Sequence, residues 1–346
     1  MRRWLLRGLA LVTLVLTACT STGAPASKPQ PAGDQPAQAS ALTRDASVRI
    51  GHVGAPSSLL EMDAQDYAKR AEQASGGRIK VQTYPNSQLG KQQEMVEQTQ
   101  LGALEMVISS SEFVSVVPEF AVFDLPFLFK DRDEIKRAVE GPFGQELAKL
   151  AEPKGLVILG YWENGFRQIT NSKRPIRVPD DLRGLKIRTP PNAERVQMFN
   201  RWGANAAPLD FSELFSALST GVFDGQENPM AQITSAKLHE VQKYLSFSGH
   251  VYTPTYLVAS KSWFEGLEPA AQRILRDLAV QGGDASRERG AKFDDEGEQT
   301  VRQAGVEVNR DVDKDAFRAS GQASYDEYRQ KYGSKYLDLL AQPASR

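Results

Sequence analysis

Apolar and polar positions along this chain fall into short extended blocks separated by longer stretches with a helical period. Val48-Arg49-Ile50-Gly51-His52-Val53 has the pattern of a short strand. Met62–Ala74 suits a helix stopped by Ser75-Gly76-Gly77, and Ile79–Tyr84 a strand that turns at Pro85-Asn86. Residues 91–102 suit a helix and Leu104–Ile108 a strand. Asp131–Pro153 predicts helix interrupted at Gly141-Pro142, because proline ends one helix and starts the next. Leu156–Trp162 reads as a buried strand, Gly184–Thr189 as another, and Asn192–Trp202 and Phe211–Thr220 as helices. From Glu268 to about Arg302 the chain is charged and helical in pattern, with a bend expected at Gly282-Gly283. Strands alternating with helices predict an α/β architecture with a largely parallel sheet.

The beginning of the chain has a different character. Residues 1–7 are short and positive, and 8–18 form an apolar run too short to span a bilayer but right for a signal-peptide core. The run ends at Leu16-Thr17-Ala18-Cys19, small residues followed by the only cysteine of the protein. Two readings fit: a lipoprotein signal whose Cys19 carries the lipid, or a plain secretory signal with an incidental thiol. Residues 20–46 hold four prolines amid Ala, Ser, Gln and Thr, with Leu42 the one large aliphatic. Such a stretch buries too little apolar surface to fold and predicts a tether with a reach of roughly 30 Å.

Composition narrows the function classes. The 346 residues are 40% hydrophobic and 25% charged, enough for two cored domains. The formal net charge is −1, and three of the 42 basic residues (Arg2, Arg3 and Arg7) lie in the leader, so the body is acidic. That argues against a nucleic-acid partner. One cysteine leaves no ligands for a Cys-based zinc site and no intrachain disulfide, and the three histidines (His52, His239 and His250), far apart in sequence, would all have to converge to hold a metal. No cofactor is predicted. Nucleophile-elbow, phosphate-loop, zinc-protease and dinucleotide motifs are missing from the sequence. Asp180-Asp181 follows Pro179 as if at the start of a short helix, where carboxylates complement the helix dipole. Nothing positive supports an enzyme.

What remains is four polar segments marked by Gly and Pro. They are Gly165-Phe166-Arg167-Gln168-Ile169-Thr170-Asn171, Gly184-Leu185-Lys186-Ile187-Arg188-Thr189-Pro190, Pro208-Leu209-Asp210-Phe211-Ser212-Glu213, and Gly225-Gln226-Glu227-Asn228-Pro229. With Tyr84-Pro85-Asn86, Val122-Phe123-Asp124-Leu125-Pro126-Phe127 and Glu240-Val241-Gln242-Lys243-Tyr244-Leu245, they resemble the DctP-like substrate-binding proteins of tripartite ATP-independent periplasmic (TRAP) transporters. The resemblance covers about residues 48–340.

It implies an α/β fold of two lobes joined by a hinge, of the type II-like periplasmic binding kind, with long C-terminal helices. The expected organisation is a signal at 1–18, lipidated Cys19 with its tether to 46, lobe I at 47–164 plus 254–293, and lobe II at 165–253 plus 294–346. The resemblance also assigns site residues. Arg188 would pair with a ligand carboxylate, for which a guanidinium fork is suited; alternation along Leu185–Thr189 puts it opposite Leu185, Ile187 and Thr189. A salt bridge at the surface or between lobes is the other reading of that arginine. Arg167 would be a second cation, or else a structural partner of an acidic neighbour. Asn228 would contact the carboxylate, or cap a helix starting near Pro229. Phe211 would line the cavity, Ser110 would make a polar contact from lobe I, and Trp162 would be cavity wall or core. The partners implied are a small organic anion, the small and large membrane permease proteins, and a membrane reached through the lipid anchor. A C4-dicarboxylate, another carboxylate or a sugar acid all fit. Two rivals remain at this point: a receptor presenting ligand to a signalling protein, and an anchored enzyme acting on organic acids.

Overall fold

A computed structural model describes residues 42–341. The signal at 1–18, Cys19 and the tether as far as residue 41 lie outside the described residues. The expected tether runs too far, however. Leu42 is buried in a core cluster, and the Thr43 backbone N–H donates to Glu268 Oε2 at 2.9 Å. The one large aliphatic of that stretch therefore docks on the body, and the expected tether is shortened at least to residue 42.

The described residues form ten strands in order: β1 (Ala46–Gly51), β2 (Ile79–Tyr84), β3 (Met106–Ser109), β4 (Leu156–Asn171), β5 (Lys186–Thr189), β6 (Asn205–Pro208), β7 (Gly225–Pro229), β8 (Tyr244–Ser246), β9 (Tyr252–Ser260) and β10 (Glu307–Asn309). Their order is β2-β1-β3-β9-β4-β7-β5-β6, with β8 pairing β4 and β10. The sheet is mixed rather than largely parallel. Parallel pairs occupy each end (β2-β1-β3 and β7-β5-β6), but β9 pairs antiparallel with β3 and β4, and β4 antiparallel with β7. Those two long central strands carry the chain between the lobes. β9 escapes a pattern search because Pro254 interrupts it. The proline is tolerated because the β4–β9 register shifts beside it, between Glu163 and Gly165.

Each lobe has its own core, and in the first lobe strand alternation divides it between the two faces of the sheet. Along β3 and β9, Val107, Tyr256 and Val258 face one cluster while Met106, Ile108 and Leu257 face the other. The first cluster also takes in Phe113, Phe120 and Phe123, and Tyr328 and Tyr336 from the helices Gln322–Tyr332 and Lys335–Ala341. The C-terminal helices thus pack on the first lobe, a correction to their expected place within 294–346 of the second. They are also short; the long helix is the one before them. In the second lobe Ile169, Ile187, Met198, Phe199 and Trp202 form the main cluster.

That long helix, Pro269–Gln303, is continuous through Gly282-Gly283, where a bend was expected. A Cβ on Gly283 would stand 2.9 Å from the Tyr161 carbonyl oxygen, and one on Gly282 3.1 Å from Trp162 Nε1. The glycine pair lets the helix lie directly against β4. Opposite it, a Cβ on Gly160 would come within 2.6 Å of the Ala279 carbonyl oxygen. Trp162 belongs to this contact: it is buried, donates from Nε1 to Ala279 O at 2.8 Å and meets Tyr67 edge-on. It is core, not cavity wall.

Gly160→Ala should therefore destabilise the protein by about 1–3 kcal/mol, since neither backbone can yield without opening the helix–strand contact. A urea melt checks this; a midpoint equal to that of the unaltered protein would mean that the contact can open at no cost.

Candidate functional site

β5 ends with Lys186 exposed and Ile187, Arg188 and Thr189 buried. Ile187 enters the second-lobe core, and the next residue, Arg188, faces a cleft of about 420 Å³, mouth included, between the lobes. The same cleft gathers Arg167, Asn228, Phe211 and Ser110. Of the six binding residues expected, Trp162 alone stands elsewhere.

Arg188 is 1% exposed. Its Nε and Nη2 both donate to the Leu209 carbonyl, at 2.8 and 2.5 Å, which fixes the plane of the guanidinium. Among the described residues Nη1 has no acceptor. Burial lowers its pKa to about 10, which still leaves it protonated at neutral pH.

Arg167 is held differently. Its Nε donates to Glu227 Oε2, and Nη2 reaches Glu227 Oε1 at 3.0 Å, the Glu227 carbonyl at 2.6 Å and Asn228 Oδ1 at 3.1 Å. It is a structural partner of an acidic neighbour, and at the same time it orients Asn228. Asn228 Nδ2 donates to Gln226 Oε1 at 2.5 Å, the i, i+2 neighbour on its own face of β7. Asn228 does not cap the following helix, Met230–Ser235, whose N-cap position is Pro229. Phe211 opens the helix Phe211–Ser219 at the cleft wall.

Behind this wall lies a network that the sequence did not announce. Glu227 Oε2 also accepts from Arg195 Nη1 at 2.9 Å and lies 3.2 Å from His250 Nε2. Arg195 Nη2 reaches Asp124 Oδ1, and Asn192 Nδ2 reaches Asp124 Oδ2 at 2.6 Å, so the network crosses from the second lobe to the first. Burial works against the Glu227 carboxylate, but Arg167 and Arg195 hold its pKa well below the usual range. Burial pushes His250 down to about 4, so it is neutral; Nε2–H donates to Glu227, while Nδ1 accepts from the Ser248 hydroxyl at 2.8 Å. Neither His250 nor Glu227 lines the cleft. Arg195 did leave a signal, since it shares the buried helix face of Met198 and Phe199 at positions three and four residues on.

On the first-lobe side the expected Ser110 is occupied, donating from Oγ to Pro254 O at 2.9 Å. Its neighbours Ser109 and Ser111 line the cleft with hydroxyls that are buried and without a hydrogen-bond partner, and Gln232 Oε1 is in the same condition. Glu112, also unremarked in the sequence, adds a carboxylate to the same wall. At the rim, Lys91 Nζ of the first lobe meets Asp210 Oδ2 at 2.5 Å and Glu213 Oε1 at 2.7 Å from the second. Among the described residues no group of three or more His, Cys, Asp or Glu is placed to hold a metal ion, and no helix is long and apolar enough to cross a membrane.

Comparison with known proteins adds three kinds of likeness. The family model for bacterial extracellular solute-binding proteins, family 7 (DctP) matches residues 50–331. The 2,3-diketo-L-gulonate-binding periplasmic protein YiaO of Escherichia coli is 36% identical over 272 residues, 78% of this chain and 83% of that protein. The C4-dicarboxylate-binding periplasmic protein DctP of Rhodobacter capsulatus is 33% identical over 268 residues, 77% of this chain and 80% of its own. A solved structure, the TRAP periplasmic solute-binding protein of Polaromonas sp. JS666 bound to D-erythronate, superposes with a TM-score of 0.84 at 34% identity, covering 87% of this chain and all of that one.

The buried network yields a test of its own. Glu227→Gln leaves Arg167 and Arg195 short of a counter-charge and should cost roughly 3–5 kcal/mol. Because the Glu227 pKa is depressed on folding, its contribution is present above the unfolded value of about 4.3 and is lost as pH falls below it. The gap between wild type and Glu227→Gln should accordingly narrow in melts taken from pH 5 down to pH 3. A gap that widened with acid would contradict the charge assignment.

Proposed function

From the premise that this chain belongs to family 7 of the bacterial extracellular solute-binding proteins, whose members are receptors and not enzymes, we propose that it is the solute receptor of a TRAP transporter and binds a small organic acid. The observation that carries this is Arg188: a buried guanidinium, anchored by one carbonyl, with Nη1 left to face the interlobe cleft. Arg188 Nη1 and its neighbour Asn228 take the ligand carboxylate, Arg167, its charge met by Glu227, orients Asn228 from behind, and Phe211 excludes water. The relatives named above bind 2,3-diketo-L-gulonate, C4-dicarboxylates and D-erythronate. Each of these is a carboxylate, which is the chemistry that a guanidinium recognises.

Residues 47–164 and 254–293 then act as one lobe, carrying the C-terminal helices 322–341, and 165–253 with the rest as the other. Closure about β4 and β9 buries the acid between them, and the closed form is what the small and large permease proteins receive. Cys19, beyond the described residues, carries the lipid that holds the receptor on the extracytoplasmic face of a membrane.

Truncating Arg188 leaves the ligand carboxylate desolvated and unpaired, at a cost of roughly 2–5 kcal/mol. Arg188→Ala should lose about 30-fold to several thousandfold in affinity. Arg188→Lys should stay clearly impaired, because a lysine keeps the charge without the fork. The apo protein should melt somewhat lower in both, since the Leu209 carbonyl loses its two donors. Calorimetric titration against the cognate acid decides it: near-normal binding by Arg188→Ala moves the clamp to Arg167.

Anchoring has its own test. Cys19→Ser should release the protein from the membrane fraction, as a polar tether contributes almost nothing where acyl chains contribute about 0.8 kcal/mol per buried CH₂. A processed Ser variant that stayed with the membrane would sink the anchor.

A further inference from the structure

Charge is closely balanced around the cleft. Three guanidinium groups line it or stand directly behind it: Arg188, Arg167 and Arg195. Arg167 and Arg195 are taken up by Glu227 and Asp124, and His250 beside them is neutral. Among the described residues Arg188 is left as the one cation in the cleft without a carboxylate bonded to it. Facing it is Glu112, whose carboxylate lines the same cavity and makes no ion pair or side-chain hydrogen bond among the described residues. Glu112 is also the leading favourable electrostatic influence on Arg188. At the rim the balance is negative, since Lys91 is met by both Asp210 and Glu213. One ligand carboxylate therefore finds a cation. A second would find Glu112, or two rim carboxylates that the single charge of Lys91 offsets only in part.

The remaining polar lining is neutral. Ser109 Oγ, Ser111 Oγ and Gln232 Oε1 are buried and unpartnered, and Asn164 and Thr255 stand beside them. Buried polar atoms in this condition carry a desolvation cost that a ligand hydroxyl removes and a methylene does not.

We propose that the cleft is built for a polyhydroxylated monocarboxylate, of the aldonate or uronate kind, and turns away dicarboxylates, with Glu112 setting the limit of one ligand charge. The proposal rests on the reading of Arg188 as the carboxylate clamp and goes beyond it in naming the class of acid. Glu112 acts by repulsion, a selective element built against the wrong ligand as well as for the right one.

The test is calorimetric titration of wild type and Glu112→Gln with D-gluconate, D-galactonate, D-galacturonate, succinate and L-malate. Wild type should bind at least one of the three hydroxy acids more than tenfold tighter than either dicarboxylate. Glu112→Gln should narrow that ratio by roughly 10- to 100-fold, as expected for removing one like charge a few ångströms away in a partly desolvated site. Glu112→Asp, which keeps the charge, should hold most of the ratio. Wild type binding succinate or malate as tightly as the hydroxy acids, in an Arg188-dependent way, overturns the selectivity and leaves the clamp standing. An unchanged ratio in Glu112→Gln removes Glu112 from it. Binding none of the five overturns the class of acid named here and leaves the clamp to the Arg188→Ala titration.

Discussion

The fold around the cleft depends on one carboxylate. Glu227 lies on β7 with no exposure to solvent, between two guanidinium groups and a neutral imidazole. A carboxylate taken this far from water is tolerable only when its lone pairs are filled by donors fixed in place. Each donor comes from a different element: Arg167 from β4, Arg195 from the helix Ala193–Arg201, His250 from the approach to β9. Arg195 then passes the arrangement on to Asp124 of the first lobe. Meeting the requirement of Glu227 thus sets where β4, β7 and that helix stand relative to each other. It also spends the charge of Arg167 on structure, whereas Arg188 is anchored only by a neutral carbonyl.

The strands that cross between the lobes make this possible. β4 runs sixteen residues, packed against the long helix at its start and against β7 at its end. The core tryptophan, the crossing between the lobes and Arg167, the partner of Glu227, therefore sit on one strand, within a few residues of each other. The register shifts at Ile158/Gly160 and Glu163/Gly165 lie between the halves that belong to the two lobes, where a strand can bend without losing its ladder on either side.

Much of this was open to sequence reasoning where a side chain's environment follows from a short period. The alternation along β5 places Ile187 in the core and Arg188 opposite it, and in the structure Ile187 joins the second-lobe cluster while Arg188 lines the cleft. The same reasoning fails where polar residues are buried by pairing rather than by apolarity. β4 was cut short at Trp162 because Glu163, Asn164, Arg167 and Gln168 look solvent-facing, yet all four are buried with partners from other elements. β9 was missed for its proline, and the Gly282-Gly283 pair was taken for a bend because close packing against β4 is a tertiary fact. Trp162 was ambiguous for a related reason, since the direction of its side chain depends on the bulges that flank it. Ser110 is the polar contact expected from lobe I, and nothing in the sequence shows that Pro254 O takes its hydroxyl.

The way the cleft is prepared bears on what a bound acid gains. Arg188 is already buried and already oriented, so the desolvation and side-chain ordering that a flexible surface arginine would undergo on binding are borne by the folded protein. Asn228 is likewise fixed from two sides, by Arg167 and Gln226. An incoming carboxylate loses its own hydration and little else. The first-lobe wall is prepared in the opposite sense, with unpartnered hydroxyl and amide oxygens that improve only when something polar fills the gap. Between a finished half-site on one lobe and an unfinished one on the other, closure becomes favourable when the ligand carries an anion at one end and hydrogen-bonding groups toward the other. A ligand lacking either end gives the two lobes no shared reason to stay together.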